Sequence, residues 1–291
     1  MYDVRMKSML AISIGPEVIA TIAGFPITNT MLVAGVLFFV ILAIIGITLR
    51  NIDPDKPATG IAGLMEVFVE YFLDFVESIT NDRDKALKFF PIVATIFFVV
   101  LLSNLVELWP GMGTIGVWGM HHGELVLIPF IRSVSADLNF TFVVALFAMI
   151  SVQVMGMQYL GFTGYWSKFF VAPWHKPFVI GTFVGLLELI SEFSKVLSFS
   201  FRLFGNIFAG EVLLLVIGFL APFLAPLPFL FLELFVGFVQ ALVFATLTIV
   251  FLNMATISHG DHDEEHEPRA DYSKATFGGK PGGVVPANGH K

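Results

Sequence analysis

No cysteine occurs in the 291 residues, and charge is scarce: 16 Lys and Arg stand against 23 Asp and Glu, 13% of the chain. The first absence removes disulfide frameworks, zinc–cysteine sites and thiol nucleophiles. The second excludes an ordinary soluble domain, in which about a quarter of the residues are charged. No basic run is interleaved with aromatics, and the formal charge is −7; nucleic acid is therefore not expected as a partner. No Gly-rich loop ends in Lys-Ser or Lys-Thr, so phosphoryl chemistry has no cradle. The opening segment, MYDVRMKSMLAISIGPE, holds an apolar run too short and interrupted for a signal peptide and is read as mature sequence. No internal repeat is apparent, which counts against transporter folds built from two related halves.

What fills the chain instead is apolar: 56% hydrophobic residues and 33 phenylalanines, with a mean hydropathy of +0.85. A hydrocarbon core is crossed by about 20 such residues, and five stretches qualify, at 28–49, 89–109, 138–160, 178–220 and 228–257. The expected fold is an all-α integral membrane protein with these five crossings. A segment at 1–27 precedes the membrane part (28–258), and a polar, disordered tail at 259–291 follows it. Residues 61–80 differ in kind: Glu66, Glu70, Asp74 and Glu77 recur every three or four positions on an otherwise apolar helix, the pattern of an interfacial amphipathic helix. Residues 110–137 read as a Gly-rich loop, and GFTGYWSKFFVAPWHKP as a polar-aromatic one. Lys and Arg concentrate between the first two spans and at 161–177, placing the N-terminus outside and the tail in the cytoplasm. The stretch 178–220 is too long to stand upright: at 1.5 Å per residue it reaches about 60 Å, against a core of about 30 Å. It must tilt, lie along something, or break.

An ionisable group at mid-bilayer costs roughly 2.5–3.5 kcal/mol on insertion scales, so the polar residues inside these spans are the candidates for function. Residues 178–220 carry Glu188, Glu192, Lys195, Arg202, Asn206 and Glu211. At about 100° per residue, Glu188, Lys195, Ser198 and Asn206 fall within about 40° of Arg202. Glu211 points about 180° away and lies about 13 Å further along the axis. Glu188, Glu192 and Lys195 read equally as a structural salt-bridge ladder. Arg202 stays charged at any workable pH, and no acid sits three or four positions away. It therefore asks for a partner on another subunit or for a bound anion. Glu233 and Gln240 stack on one face of the last helix. Asn104 and Glu107 share a face near the end of the second span, and Asp137 opens the third. Glu107, Asp137, Glu211 and Glu233 converge towards the outer leaflet in this reading, although Asn104 and Asp137 read equally as helix caps. The histidines lie outside the spans, so no intramembrane haem pair exists, and neither a cofactor nor a specific metal site is expected from the HGDHDEEHE tail.

The stretch SFSFRLFGNIFAGE resembles the most distinctive motif of subunit a of the rotary F-type ATP synthase. LLSNLVELWP is similar to that family's Asn-x-x-acid-x-x-Pro segment (here Asn104, Glu107 and Pro110), and SVSADLN to the opening of its next span. LLELISEFSKVLS matches the approach to the arginine, and Glu233 and Gln240 keep the spacing of the last helix. The resemblance covers residues 28–258. It implies a steeply tilted hairpin of the last two helices against a ring of c subunits, with Arg202 facing the ring and separating two aqueous half-channels. Glu211 and Glu233 would form the outer half-channel's ionisable pair, where some members carry a histidine. Asn206 and Gln240 would line the path, Asn104, Glu107 and Asp137 its outer mouth, and Glu188, Glu192 and Lys195 the inner half-channel, if they are not structural. The same resemblance implies a peripheral-stalk subunit b and membrane lipid as partners, protons as the transported ion, a bacterial inner membrane as the location, and no catalysis by this chain itself.

Two rivals compete with that reading. A self-contained carrier for a small anion would use Arg202 as substrate ligand. A purely structural reading would make the charges assembly contacts.

Overall fold

The computed structural model describes residues 16–22, 24–51, 60–106, 108, 115–121, 124–166, 178–221 and 224–256. Expectations placed on Glu107 and on the tail from His259 lie outside the described residues. Among the described residues there are six α-helices: α1 (Asn29–Asn51), α2 (Ile61–Thr80), α3 (Arg83–Val106), α4 (Leu138–Trp166), α5 (Phe178–Leu220) and α6 (Pro226–Thr256). All but α2 are long and apolar enough to cross a membrane. The chain is an all-α multi-pass integral membrane protein.

Two antiparallel hairpins appear, one in the segment ahead of the first span and one in the stretch read as a Gly-rich loop. One pairs β1 (Val18–Ile22) with β2 (Phe25–Thr28), and the other pairs β3 (Gly116–His121) with β4 (Glu124–Pro129). Short alternating runs inside a Gly-rich loop carry too weak a periodicity to announce strands. Asn29 ties the two together: its Nδ2 donates to the Pro129 carbonyl at 3.4 Å, and its Oδ1 accepts the Glu17 and Thr30 N–H groups. The start of α1 is capped by Thr28, whose Oγ1 accepts the Met31 N–H at 3.3 Å.

Several helix boundaries depart from the hydropathy reading. α3 starts at Arg83 rather than 89, because Asp82 Oδ1 accepts the Asp84 and Lys85 N–H groups and starts the helix early. Pro91 lies inside it and removes one backbone donor without ending the helix. α4 runs past 160 to Trp166 through a kink at Gly161, whose φ of 74° and ψ of 160° only glycine adopts readily. The polar-aromatic segment GFTGYW is thus a continuation that turns back on its own helix: a Cβ on Gly156 would run into the Tyr165 ring.

The amphipathic α2 buries Phe72, Leu73 and Val76 and leaves Glu66, Glu70 and Asp74 exposed. Its link to α3 is a tight turn at Asn81, in the left-handed region with φ 53°. Across that turn Arg83 meets Asp74 at 2.9 Å and Glu77 at 2.5 Å, exposed pairs that water and salt screen.

The core lies where α3, α4, α5 and α6 meet. Phe89, Val93, Ile96 and Val100 of α3 pack with Ala145, Ala148 and Val152 of α4 and with Ala241, Ala245, Ile249 and Leu252 of α6. Alanines at the crossings let helices approach closely, which is how dispersion holds helices together where lipid removes the hydrophobic drive. α1 and α5 are the peripheral helices: only 11% and 17% of their most apolar windows are buried, against 39% for the other three.

Candidate functional site

The exposed length of α5 carries the arginine. Arg202 is solvent- or lipid-accessible, its guanidinium 3.5 Å from Ser198 Oγ and 5.8 Å from the centre of the Phe199 ring. No carboxylate lies within ion-pair distance of it among the described residues. It stands in an exposed stripe of Ser191, Ser194, Ser198, Gly205 and Ala209, spaced three or four apart and otherwise free of bulk. Ser194 turns its hydroxyl back to the Ile190 carbonyl at 2.8 Å. The stripe's relief is therefore shallow and its one charge is Arg202.

Behind that face, α6 presents Glu233, Gly237 and Gln240, three and four apart and all buried. Each meets a different partner. Gln240 Oε1 accepts from Asn206 Nδ2 at 2.8 Å, which links the arginine's helix to α6 within a turn of Arg202. Gly237 lets Asn104 of α3 close in, with Asn104 Nδ2 donating to the Gly237 carbonyl at 3.0 Å; a Cβ on Gly237 would stand 3.1 Å from that of Asn104. The Glu233 carboxylate occupies the space where a Gly210 side chain would be. Five buried polar atoms in this region have no protein partner among the described residues: Ser103 Oγ, Asn104 Oδ1, Ser135 Oγ, Glu233 Oε1 and Gln240 Nε2. Buried polar atoms are almost always hydrogen-bonded, to water where protein is lacking. These atoms lie on elements that contact one another, α3, α6 and the 3-10 turn among them.

Glu211 does not reach Glu233. It faces Arg132, from the segment between β4 and the 3-10 turn Val134–Ala136. Arg132 Nε lies 3.0 Å from Oε1, and a terminal guanidinium nitrogen donates to Oε2 at 3.1 Å. The arginine is 7% exposed and the glutamate 25%. Asp137 serves as a cap: Oδ1 accepts the Asn139 N–H at 2.9 Å, while Oδ2 accepts from Thr30 Oγ1 at 3.0 Å and ties α1 to the start of α4. Of the two readings that the sequence left open for Asp137, the structure displays the capping geometry.

The remaining charges of α5 form a separate group nearer its start. Glu192 accepts from Lys195 Nζ at 2.5 Å and from Gln153 Nε2 at 2.9 Å. Tyr165, delivered by the Gly161 kink, donates its hydroxyl to Gln153 Oε1, and Lys195 Nζ lies 5.0 Å from the Phe251 ring centre. Beside this network, a cavity of about 510 Å³ opens between α4 and α5, lined by Met149, Gln153, Glu192 and Phe193 among others. Glu188 is exposed and stands outside the network.

The sequence profile of the ATP synthase A chain family matches residues 28–253. The chain belongs to the ATP synthase A chain family. Among its relatives, ATP synthase subunit a of Gloeobacter violaceus is 35% identical over 226 residues, 77% of this chain and 82% of that protein. The subunit a of Moorella thermoacetica is 30% identical over 246 residues, 84% and 97% of the two chains. That of Campylobacter jejuni is 32% identical over 208 residues, 70% and 80%.

In this member of the family, the structure joins Asn206 with Gln240, sets Glu233 against Gly210 and holds Asn104 on the same face of α6. It separates Glu188, Glu192 and Lys195 from that cluster, on the earlier part of the long helix. Sequence reasoning missed Arg132 as a member. Its partner Glu211 lies 79 positions away. The signal available was its company: a lone arginine beside Ser133, Val134 and Ser135, in a stretch about to enter a helix, with no local acid closer than Asp137.

Proposed function

We propose that this chain is the proton-translocating stator subunit of an F-type ATP synthase, coupling proton flow to rotation of a ring of c subunits. The observation that carries the proposal is Arg202, a permanent cation on the exposed, shallow face of a 43-residue helix, with no anion of its own among the described residues. A charge in hydrocarbon needs a counter-ion, and a ring carboxylate arriving from a neighbouring subunit is one. The guanidinium attracts that carboxylate in its ionised form and favours its deprotonation. It also blocks direct passage between the two half-channels, because arginine does not give up its proton.

In this reading the outer half-channel runs past Asn104, Glu107 and Asp137 to Glu211 and Glu233, with Asn206 and Gln240 lining the last step to the ring. The unpartnered buried atoms on Asn104, Glu233 and Gln240 support it. Glu188, exposed on the early part of α5, lines the inner half-channel, with Glu192 and Lys195 beside it in an internally neutralised pair. The chain carries out no ATP chemistry itself. The c ring, the peripheral-stalk subunit b and lipid are its partners, the bacterial inner membrane is its site, and the N-terminus lies outside with the tail in the cytoplasm. A proton crossing each 100 mV supplies about 2.3 kcal/mol.

Arg202→Ala tests the proposal. The complex is expected to assemble, with proton-driven ATP synthesis in membrane vesicles falling to background. Normal coupling in an assembled Arg202→Ala complex would overturn it.

A further inference from the structure

We propose that Arg132 is a positioning residue of the outer half-channel: it holds Glu211 as a fixed anion and leaves Glu233 as the carboxylate that carries the proton. The proposal rests on the half-channel reading above and divides the labour between two acids which that reading treats alike.

Glu211 of α5 and Glu233 of α6, the latter packed against Gly210, lie in different surroundings. Glu211 has both oxygens engaged by one buried guanidinium, Nε to Oε1 at 3.0 Å and a terminal nitrogen to Oε2 at 3.1 Å. That fork geometry is the strong form of the arginine–carboxylate contact. A guanidinium stays charged in any protein setting, and at 7% exposure Arg132 has little water to share its charge with. It therefore requires an anion, and Glu211 is the anion against it. A proton on Glu211 would take a negative charge away from a buried cation that grips it through two nitrogens.

Glu233 has the opposite environment. Its carboxylate is packed against Gly210, it is 7% exposed, and Oε1 has no partner among the described residues. No cation lies within ion-pair distance of it among those residues. A buried acid without a cation beside it can travel as the neutral carboxyl form and release its proton to the next acceptor. The proton enters on Glu233 from the wet side and leaves to the ring carboxylate, and Arg132–Glu211 keeps its net charge unchanged throughout.

Two further acids of this region are held by backbone and side-chain contacts. Glu17, ahead of β1, lies within electrostatic reach of Glu211, and its backbone is fixed by Asn29. Asp137, at the start of α4, is engaged by Thr30. Of the two carboxylates at the Gly210–Glu211 step, it is Glu211 that Arg132 grips.

The experiment uses membrane vesicles carrying the whole ATP synthase, with complex quantified on native gels and ATP-driven proton pumping recorded against pH. Arg132→Gln is expected to lower pumping per complex by about tenfold and to move the pH of half-maximal pumping, since Glu211 is then released to titrate in the path. Arg132→Lys should restore most of the rate, and Arg132→Gln combined with Glu211→Gln should recover the parental pH midpoint and pump several-fold faster than Arg132→Gln alone. Glu233→Gln should stop pumping in every background. The proposal is overturned if the double variant pumps no better than Arg132→Gln, or if Arg132→Gln lowers only the amount of complex. It is equally overturned if Glu211→Gln stops pumping as completely as Glu233→Gln. Should Arg132→Gln fail to assemble, the double variant decides alone, because it removes both members of the Arg132–Glu211 pair together. Parental pumping in assembled Arg202→Ala and Glu233→Gln complexes would instead defeat the half-channel reading beneath it.

Discussion

Gly210 is the residue at which packing and chemistry meet. Its missing side chain makes the room in which the Glu233 carboxylate sits, so the acid's position is set by an atom that is absent. Gly210→Val is therefore expected to evict Glu233 and cut proton pumping per complex by about tenfold or more, while the complex still assembles. An overfilled site of this kind costs about 1–3 kcal/mol, too little to unfold a well-packed bundle. Native-gel abundance together with the pumping rate checks both halves of that statement. At this scale the sequence was readable wherever a charge or amide interrupted an apolar run: Arg202, Asn206, Glu233 and Gln240 stand out for that reason. Arg132 did not, because a cation in a loop has an ordinary explanation in solvent, and only the folded chain shows it buried. The pairing of Glu211 was illegible for the same cause. Helical angles relate residues of one helix, and the partner came from a segment with no period at all.

Among the elements, α4 shows how one backbone position redirects a helix. Gly161 turns the last residues back, so that Tyr165 lies over Gly156 and bonds Gln153, which in turn holds Glu192 on α5. Gly161→Ala would force a side chain into a region that is essentially glycine-only, at a cost on the order of 1–3 kcal/mol. The expected result is a lower unfolding midpoint for the purified protein in detergent. Tyr165→Phe, which removes the hydroxyl and keeps the ring, should lower it by a smaller amount. A midpoint unchanged in Gly161→Ala would show that the kink bears no strain. Hydropathy found the five long helices because length and apolarity suffice for that. It placed the ends of α3 and α4 poorly, since a cap on Asp82 and a kink at Gly161 are matters of hydrogen bonds and dihedral angles. It also gave no sign of the two hairpins, whose strands are too short to declare a period of two.

For the whole molecule, the distribution of burial matters more than its amount. α3, α4 and α6 form the packed middle, while α5 lies open along a length of about 65 Å, at 1.5 Å for each of its 43 residues. A helix of that length cannot stand upright in a core of about 30 Å, and its exposed face is where a partner belongs. The chain alone, reconstituted into liposomes, is accordingly expected to conduct protons no faster than empty vesicles. Addition of the c ring should be required before any uncoupled flow appears, as followed by a pH-sensitive dye trapped inside. Proton flow through the chain by itself would mean that the path closes within one subunit.

The small-residue stripe around Arg202 has a mechanical side. Helices that lock together do so by fitting side-chain ridges into facing grooves. Ser191, Ser194, Ser198, Gly205 and Ala209 offer almost no ridge, and the Ser194 hydroxyl is already spent on its own backbone. Under the function proposed above, that texture would serve as a bearing: a ring helix passing over the stripe finds no ridge to mesh with, and the one feature it registers on the way is electrical.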